Sequence, residues 1–366
     1  MRILQQCIYF PPEVGGLESH VFYLCRDLVR MGHDVTMVTS RSKPEAPAHE
    51  VMDGVRVRRT WFPGRTPAGW AAHTFASIPA YLPLARQADV LHAQTFASAP
   101  PGMLAKRRGK PLVLTLHTSH FLRLAKKPAW QPVLRRIIRS ADWLLAASEE
   151  IRDVALALYP HPRAEALTNG VDTAMFRPVA PALPPAKGYR IIVPRRLFQK
   201  NGVEYFLRAM PSLCAEEAVE AIIVGDGPLR QQLEALAREL GIADSVRFMG
   251  ARPNTEMPGL LASADIAVIP SLLEATSIAA LEAMSCERPV AASRTGGLPE
   301  IIDEDVGTLF EPANAADLAR AVLALLRRTD RAAMGVRARE RVVRRWSLER
   351  LAKRHVEIYE AVIHRG

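Results

Sequence analysis

Cysteine is scarce: Cys7, Cys25, Cys214 and Cys286 are the only four in 366 residues, far apart and never in a CxxC pair. That suits buried thiols in a reducing cytoplasm better than a disulfide framework or a zinc site. Long apolar runs are missing too, since none approaches the roughly 18–20 residues a membrane-spanning helix needs. The opening MRILQQCIYFPPEVGG is broken by Gln5, Gln6 and Pro11 where a secretory signal would keep an unbroken apolar core. No GxGxxG fingerprint marks a dinucleotide site, and no helix-turn-helix or similar reader motif points to nucleic acid. Nor is there an internal repeat beyond an α/β alternation.

Positive charge is abundant instead. The formal charge is +10, and residues 1–180 carry 23 Lys and Arg against 14 Asp and Glu, whereas the remainder carries 25 against 24. Basic clusters lie at Lys106-Arg107-Arg108-Lys110, Lys126-Lys127 and Arg135-Arg136-Arg139. Such a field suits an anionic partner, a phosphorylated acceptor or an acidic membrane surface, and it equally fits an ordinary solvated face. In FLRLAKKPAWQPVLRRIIRS, residues Trp130, Val133, Leu134, Ile137 and Ile138 can lie beside a basic face, so the expected location is cytoplasmic with a peripheral contact at the inner membrane face.

The chain is long enough for two domains at about 100–200 residues each. RILQQCIYF, DVTMVTS, VRVRRTWF, DVLHAQT, PLVLTLH and WLLAAS read as strands separated by helical patterns. Leu17, Val21, Leu24, Cys25 and Leu28 repeat at helical spacing, and Gly32 is a natural stop. RPVAPALPPAKG, rich in proline, reads as a linker. The alternation restarts with YRIIVPRRL, EAIIVGDG, SVRFMG, ADIAVIPS and RPVAAS. Near-continuous apolar strands followed by helices imply parallel sheets covered on both faces. The expected fold is therefore α/β: two facing, Rossmann-like, doubly wound domains, residues 1–180 and 181–346, with a ligand cleft between them. The C-terminal helix, 347–366, is expected to return to the first domain. The stretch TWFPGRTPAGWAAHTFASIP, with Trp61, Phe62 and Trp70, is expected to form a loop that shapes an acceptor pocket.

The stretch SLLEATSIAALEAMSC carries two carboxylates, Glu274 and Glu282, in apolar company. Thr276 or Ser277 can cap the helix that follows. The amides of Ser277, Ile278 and Ala279 then lack helical acceptors and suit a phosphate. A carboxylate beside phosphate is repelled, so Glu274 is expected to accept from sugar hydroxyls and Glu282 from a ribose diol. The plainer reading is one capping and one exposed acid. Arg196 and Lys200, after the strand IIVP, supply positive charge for a diphosphate. Gly15-Gly16, between the first strand and a helix, permits close backbone approach to an anion or makes a plain tight turn.

Together these segments resemble the retaining glycosyltransferases of the GT-B fold, family 4 type. E-ATSIAAL-E is similar to that family's paired-glutamate signature, and VPRRLFQKNGVEYFL to its Arg…Lys-Gly segment. GDGPLR with Gly225, FMGAR with Met249, SRTGGLPEII and TNGVDTAMF follow in the family's order, and the resemblance runs from about Arg2 to Val362. It implies that Arg196 and Lys200 neutralise the leaving diphosphate, Glu274 holds the donor sugar, Glu282 binds ribose, and Gly16 lies near the phosphates. It also implies that His117, at the end of PLVLTLH, contacts the donor sugar near the reacting centre; spacing alone reads it as a packed histidine. The donor base is expected to be read by backbone near FMGAR, with UDP favoured over GDP. Two departures stand out: Thr276-Ser277 replaces a frequent Phe-Gly, and Asn201 separates Lys200 from Gly202. The resemblance implies transfer of a sugar to an acceptor hydroxyl with retention. It implies neither cofactor nor metal, and the one DxD-like run, Asp303-Glu304-Asp305, reads as an acidic turn. A sugar-nucleotide 2-epimerase and a non-catalytic membrane or polyanion binder are the competing readings.

Overall fold

The computed structural model describes residues 1–13, 15–106, 109–117, 119–274 and 276–364. Arg107 and Arg108 of the first basic cluster, Ala275 between the paired glutamates, and the last two residues of the expected C-terminal helix lie outside the described residues. The chain divides into two compact units, Met1–Asn169 with Leu348–Gly366, and Gly170–Ser347.

The first unit holds β1 (Arg2–Gln6), β2 (Asp34–Ser40), β3 (His49–Met52), β4 (Val55–Thr60), β5 (Val90–Ala93), β6 (Leu112–Leu116), β7 (Trp143–Ala146) and β8 (Ala164–Ala166). They form one sheet in the order β3-β4-β2-β1-β5-β6-β7-β8. All pairings are parallel except that of β3 with β4, so the expected all-parallel sheet gains one antiparallel edge. Central strands are buried along their length because helices cover both faces, which is why they read as unbroken apolar runs. The helix Gly16–Arg30 ends before Gly32, whose φ of +84° is the left-handed stop its position suggested. The C-terminal helix Leu348–Ile363 lays Leu351, Ile358, Tyr359 and Val362 into the core formed by Ile3, Val21, Leu24 and Val35, and so belongs to this unit.

Two expectations change here. Residues from Pro67 onward form a helix, Pro67–Gln87, rather than a loop: the Thr66 side chain accepts from the Gly69 amide, and Tyr81 and Ala85 bury on one side despite Pro79 and Pro83 within it. Of the five apolar residues expected beside the basic face, Leu134, Ile137 and Ile138 are core residues of the helix Gln131–Ser140, because that face packs inward. Only Trp130 and Val133 are exposed.

The second unit holds β9 (Tyr189–Pro194), β10 (Val219–Val224), β11 (Val246–Gly250), β12 (Ile266–Ile269), β13 (Val290–Ser293) and β14 (Gly307–Phe310), all parallel, in the order β11-β10-β9-β12-β13-β14. From β9 the chain moves outward to β11, then crosses to β12 and proceeds the other way. The reversal falls between β9 and β12, and the carboxyl ends of strands flanking such a reversal are where open α/β sheets bind ligands.

The unit boundary lies at residue 169 rather than 180, because Val171 and Phe176 are buried in the second unit's core. The Pro-rich segment, expected as a linker, is likewise tied to that unit. Ala182 N–H donates to the Gly259 carbonyl at 2.9 Å, Leu183 N–H to Ser263 Oγ at 3.0 Å, and Arg190 Nη2 to the Pro184 carbonyl at 2.7 Å.

Candidate active site

Four loops meet at the carboxyl edge of the second sheet. The loop after β9 carries Arg195 to Asn201, that after β10 Gly225-Asp226-Gly227, that after β12 Ser271 to Ser277, and that after β13 Arg294 to Gly297. Backbone contacts lock them together. Leu272 and Leu273 N–H both donate to the Lys200 carbonyl, at 2.8 and 3.3 Å. Leu197 N–H donates to Asp226 O at 3.0 Å, and Gly225 N–H to Gly250 O at 2.9 Å. Glycines allow the approach. A Cβ on Gly202 (φ +63°) would lie 1.9 Å from the Pro270 carbonyl oxygen, and one on Gly296 (φ +53°) 1.6 Å from that of Glu274.

On this frame Arg196 and Lys200 are both exposed, with the Arg196 guanidinium 5.6 Å above the Phe198 ring. The inserted Asn201 is buried and its Nδ2 donates to the Arg196 carbonyl at 2.6 Å, so it pins the loop that presents Arg196. Glu274 is held differently from the sequence reading. Its Oε2 accepts from Arg195 Nη2, and from Ser271 Oγ at 3.3 Å, while the same Arg195 nitrogen also contacts Ser271 Oγ. Arg195, which the sequence reading passed over, is thus the cation beside the first glutamate. Its side chain is 10% exposed and that of Glu274 is 16%.

Ser277 caps the helix Ile278–Ser285, its Oγ accepting from the Ala280 amide at 3.3 Å. Ala280 and Leu281 N–H are used by Ser277, leaving those of Ile278 and Ala279 without a helical acceptor. Thr276 Oγ1 is buried without a hydrogen-bond partner among the described residues. Glu282, in the second turn, is half-buried, and burial pushes its carboxyl up to about 8. An acid so shifted is poorly solvated, the condition for gaining from donors a ligand brings. The Met249 carbonyl on β11 accepts from Arg252 Nε at 3.1 Å. Asp303 and Asp305 lie at the opposite, amino edge before β14, where both pair with Arg341 at 2.7 and 3.2 Å.

In the first unit, Gly15 precedes the helix Gly16–Arg30, whose start offers amides to an anion. The nearest atoms to a Cβ on Gly15 belong to the Glu18 carboxylate, the far end of a flexible side chain that can shift aside. His117 is buried and hydrogen-bonded on both sides, Nδ1 to Asn169 Oδ1 at 3.0 Å and Nε2 to Gln94 Oε1 at 2.8 Å; burial drops it to about 3, so the ring is neutral. A substrate bond to this ring would have to displace one of those amides. Nearby aromatic residues form a second cluster: Trp70 Nε1 donates to the Tyr9 hydroxyl at 2.8 Å, and Phe62 and His120 pack edge-on to Tyr9 and Trp70 respectively. On the same unit an apolar groove of about 1210 Å³ is lined by Phe75, Ile78, Met103 and Leu104, and bordered by Arg135, Arg136 and Arg139.

The chain matches known proteins over most of its length. The family model described as Glycosyltransferase Family 4 covers residues 14–175, and that described as Glycosyl transferases group 1 covers residues 180–341. The glycogen synthase of Mycobacterium tuberculosis is 31% identical over 93% of this chain and 89% of its own. A mannosyltransferase of Corynebacterium glutamicum, described as GDP-mannose-dependent and acting on monoacylated phosphatidylinositol monomannoside, is 28% identical over 96% of both. Among solved structures, sucrose-phosphate synthase from Thermosynechococcus elongatus superposes with a TM-score of 0.87 over the full length of both chains at 22% identity, which speaks for the fold. The chain belongs to glycosyltransferase family 4, and its two parallel α/β units are those of the GT-B fold. It is therefore a glycosyltransferase.

Proposed function

We propose that this enzyme moves a sugar from a nucleoside diphosphate to an acceptor hydroxyl with retention at the anomeric carbon. The observation carrying this reading is the convergence, at one strand edge of the second unit, of two exposed cations, a helix start whose Ile278 and Ala279 amides have no helical acceptor, and two sheltered carboxylates. Arg196, Lys200 and the Ile278 and Ala279 amides bind the diphosphate and stabilise the charge it gains as the bond from the anomeric carbon to phosphate oxygen breaks, both electrons leaving with oxygen. Glu274, oriented by Arg195 and Ser271, accepts from the sugar hydroxyls, and Glu282 from the ribose diol. The departing phosphate oxygen takes the acceptor's proton on the face it leaves, so the new bond forms there and no separate base is needed. His117 and Gly16 belong to the donor side of the reaction in this reading.

In this reading the reaction needs neither metal nor cofactor; Asp303 and Asp305 of the acidic run are paired with Arg341 at the other edge of the sheet. UDP is placed ahead of GDP as the donor nucleotide. The acceptor is anionic or lipid-linked, as in cell-envelope polysaccharide or glycolipid synthesis. The basic first unit, the Tyr9–Phe62–Trp70 cluster and the Arg-bordered groove support it, as does a relative named for a phosphatidylinositol substrate. The groove would rest on the anionic inner face of the membrane.

The test offers UDP-, GDP- and ADP-sugars to the protein with phosphatidylinositol and polyprenyl phosphate acceptors, in EDTA, and reads the product's anomeric configuration by NMR. A product of inverted configuration, rapid epimerisation of the donor without acceptor, or turnover restored only by a divalent cation would each overturn part of this reading.

A further inference from the structure

Buried side chains connect the C-terminal helix to His117. Tyr359 lies in that helix with its hydroxyl 2.7 Å from His92 Nδ1, and His92 Nε2 is 2.7 Å from Thr115 Oγ1. Gln5 Nε2 donates to the Tyr359 oxygen at 3.0 Å, Gln94 Nε2 donates to Gln5 Oε1 at 2.8 Å, and Gln94 Oε1 faces His117 Nε2 at 2.8 Å. Gln5, His92, Gln94 and Tyr359 are wholly buried, so no water competes for these groups.

Each link constrains the next. A phenol has one proton. Given to His92 Nδ1, it leaves the Tyr359 oxygen to accept from the Gln5 amide. Gln5 then turns its oxygen to Gln94, and Gln94 turns its own oxygen to His117. An amide oxygen can only accept, so the His117 Nε2 must carry the hydrogen and Nδ1 the lone pair. Gln94 Nε2, 3.3 Å from His92 Nδ1, reinforces the same polarity. Asn169 Oδ1 lies 3.0 Å from His117 Nδ1, and a neutral ring cannot donate to two amide oxygens; the side-chain amide of Asn169 is the one that turns over, its NH₂ then donating to Nδ1. Reversing the chain would require His92 to donate to Tyr359 and both glutamines to turn over together.

We propose that Tyr359, through Gln5 and Gln94, is a positioning residue that fixes the tautomer and ring orientation of His117. The last helix of the chain thereby sets the state of a residue of the first sheet far from it in sequence. The consequence for catalysis rests on the sugar-transfer reading above; the tautomer itself does not.

The experiment compares wild type with Tyr359→Phe, which removes one oxygen and keeps the ring, using selectively ¹⁵N-labelled histidine, with His117→Gln to assign the signal. Wild type is expected to show a single neutral tautomer with hydrogen on Nε2. Tyr359→Phe is expected to show growth of the Nδ1–H form, with kcat down about 5- to 20-fold and donor KM unchanged. Gln94→Leu severs the last link and serves the same purpose should Tyr359→Phe fail to fold. A wild-type His117 with hydrogen on Nδ1, or variants that lose thermal stability while the His117 nitrogen shifts stay as in wild type, would overturn the proposal. Shifts that move as expected in a protein without any sugar transfer would uphold the relay and refute only the functional reading.

Discussion

The Glu274 carboxylate accepts from Arg195, not from Arg196, although the two arginines are neighbours in sequence. Both lie past the end of β9 at Pro194, where the chain turns, and one guanidinium points inward onto Glu274 and Ser271 while the other is exposed. The inner pair is nearly buried, where removal of one partner leaves an uncompensated charge.

Arg195→Met is therefore expected to destabilise the second unit by about 3 kcal/mol, within the range for breaking a buried pair. Glu274→Gln in the same chain should return most of that, because no carboxylate is then left stranded. Urea denaturation of the two single variants and the double variant measures the coupling. Additive effects would mean that the pair carries no energy of its own. Glu274→Gln alone keeps an acceptor for Arg195 yet weakens the hydroxyl grip, so turnover should fall about 100-fold, as for loss of one charged group at a reacting centre.

Much of this was legible in the chain, for identifiable reasons. Strands β1, β5, β6, β9, β10 and β12 are covered on both faces, so burial wrote them as continuous apolar runs. The exposed edge strand β3 and the three-residue β8 left no such mark. The helix Pro67–Gln87 was hidden by Pro79 and Pro83, which local propensity reads as breaks and which packing of Tyr81 and Ser77 overrides. Glu274, Glu282, Arg196 and Lys200 stood out because charge in an apolar setting, or beside a strand end, needs a partner. Arg195 did not, since nothing local tells which of two adjacent arginines turns inward. The Gln5–Gln94–Tyr359 chain was out of reach, being 354 residues from end to end in one of its bonds.

Glu282 gives a pH signature. Its folded pKa, pushed up to about 8 by burial from an ordinary 4.5, means the folded state resists ionisation. Below about pH 4.5 the acid is neutral both folded and unfolded, and Glu282→Gln should change little. Between 4.5 and 8 the unfolded wild type releases a proton that the folded form keeps, so wild type loses stability relative to the variant as pH rises. Above 8 the difference levels off. The gap should reach about 1–3 kcal/mol, discounted from the roughly 1.4 kcal/mol per pKa unit because the side chain is only half-buried. Melting curves from pH 5 to 9 check this, and a constant gap would refute it. Hydroxyls donated by a ribose favour the charged acid, so nucleotide affinity should rise with pH over the same interval in wild type and stay flat in Glu282→Gln.

Gly296 holds the Glu274 loop by close approach. Alanine there would suffer both a left-handed backbone, worth about 1–2 kcal/mol, and a Cβ 1.6 Å from the Glu274 carbonyl oxygen. Gly241, in the same unit at φ +68° with nothing within 4 Å of its would-be Cβ, is the control for the backbone cost alone. Gly296→Ala should cost clearly more stability than Gly241→Ala and should also raise donor KM, whereas Gly241→Ala should leave KM as it is. Equal costs would mean that the loop yields freely and Gly296 has no part in placing Glu274.

The basic groove of the first unit yields the last test. Phe75 is 69% exposed, and Arg135, Arg136 and Arg139 stand exposed along the groove's border. An apolar floor with a cationic rim meets an anionic bilayer by two additive effects, and each basic residue near such a surface contributes about 1 kcal/mol. Reversing all three arginines to glutamate should therefore weaken binding to phosphatidylserine-containing vesicles by at least about 100-fold. Phe75→Asp should weaken it even at high salt, where the charge contribution is screened. Co-sedimentation across a salt series reads both. Wild type that stays in the supernatant with anionic vesicles at low salt would remove the membrane from the functional reading while leaving the sugar-transfer site as it stands.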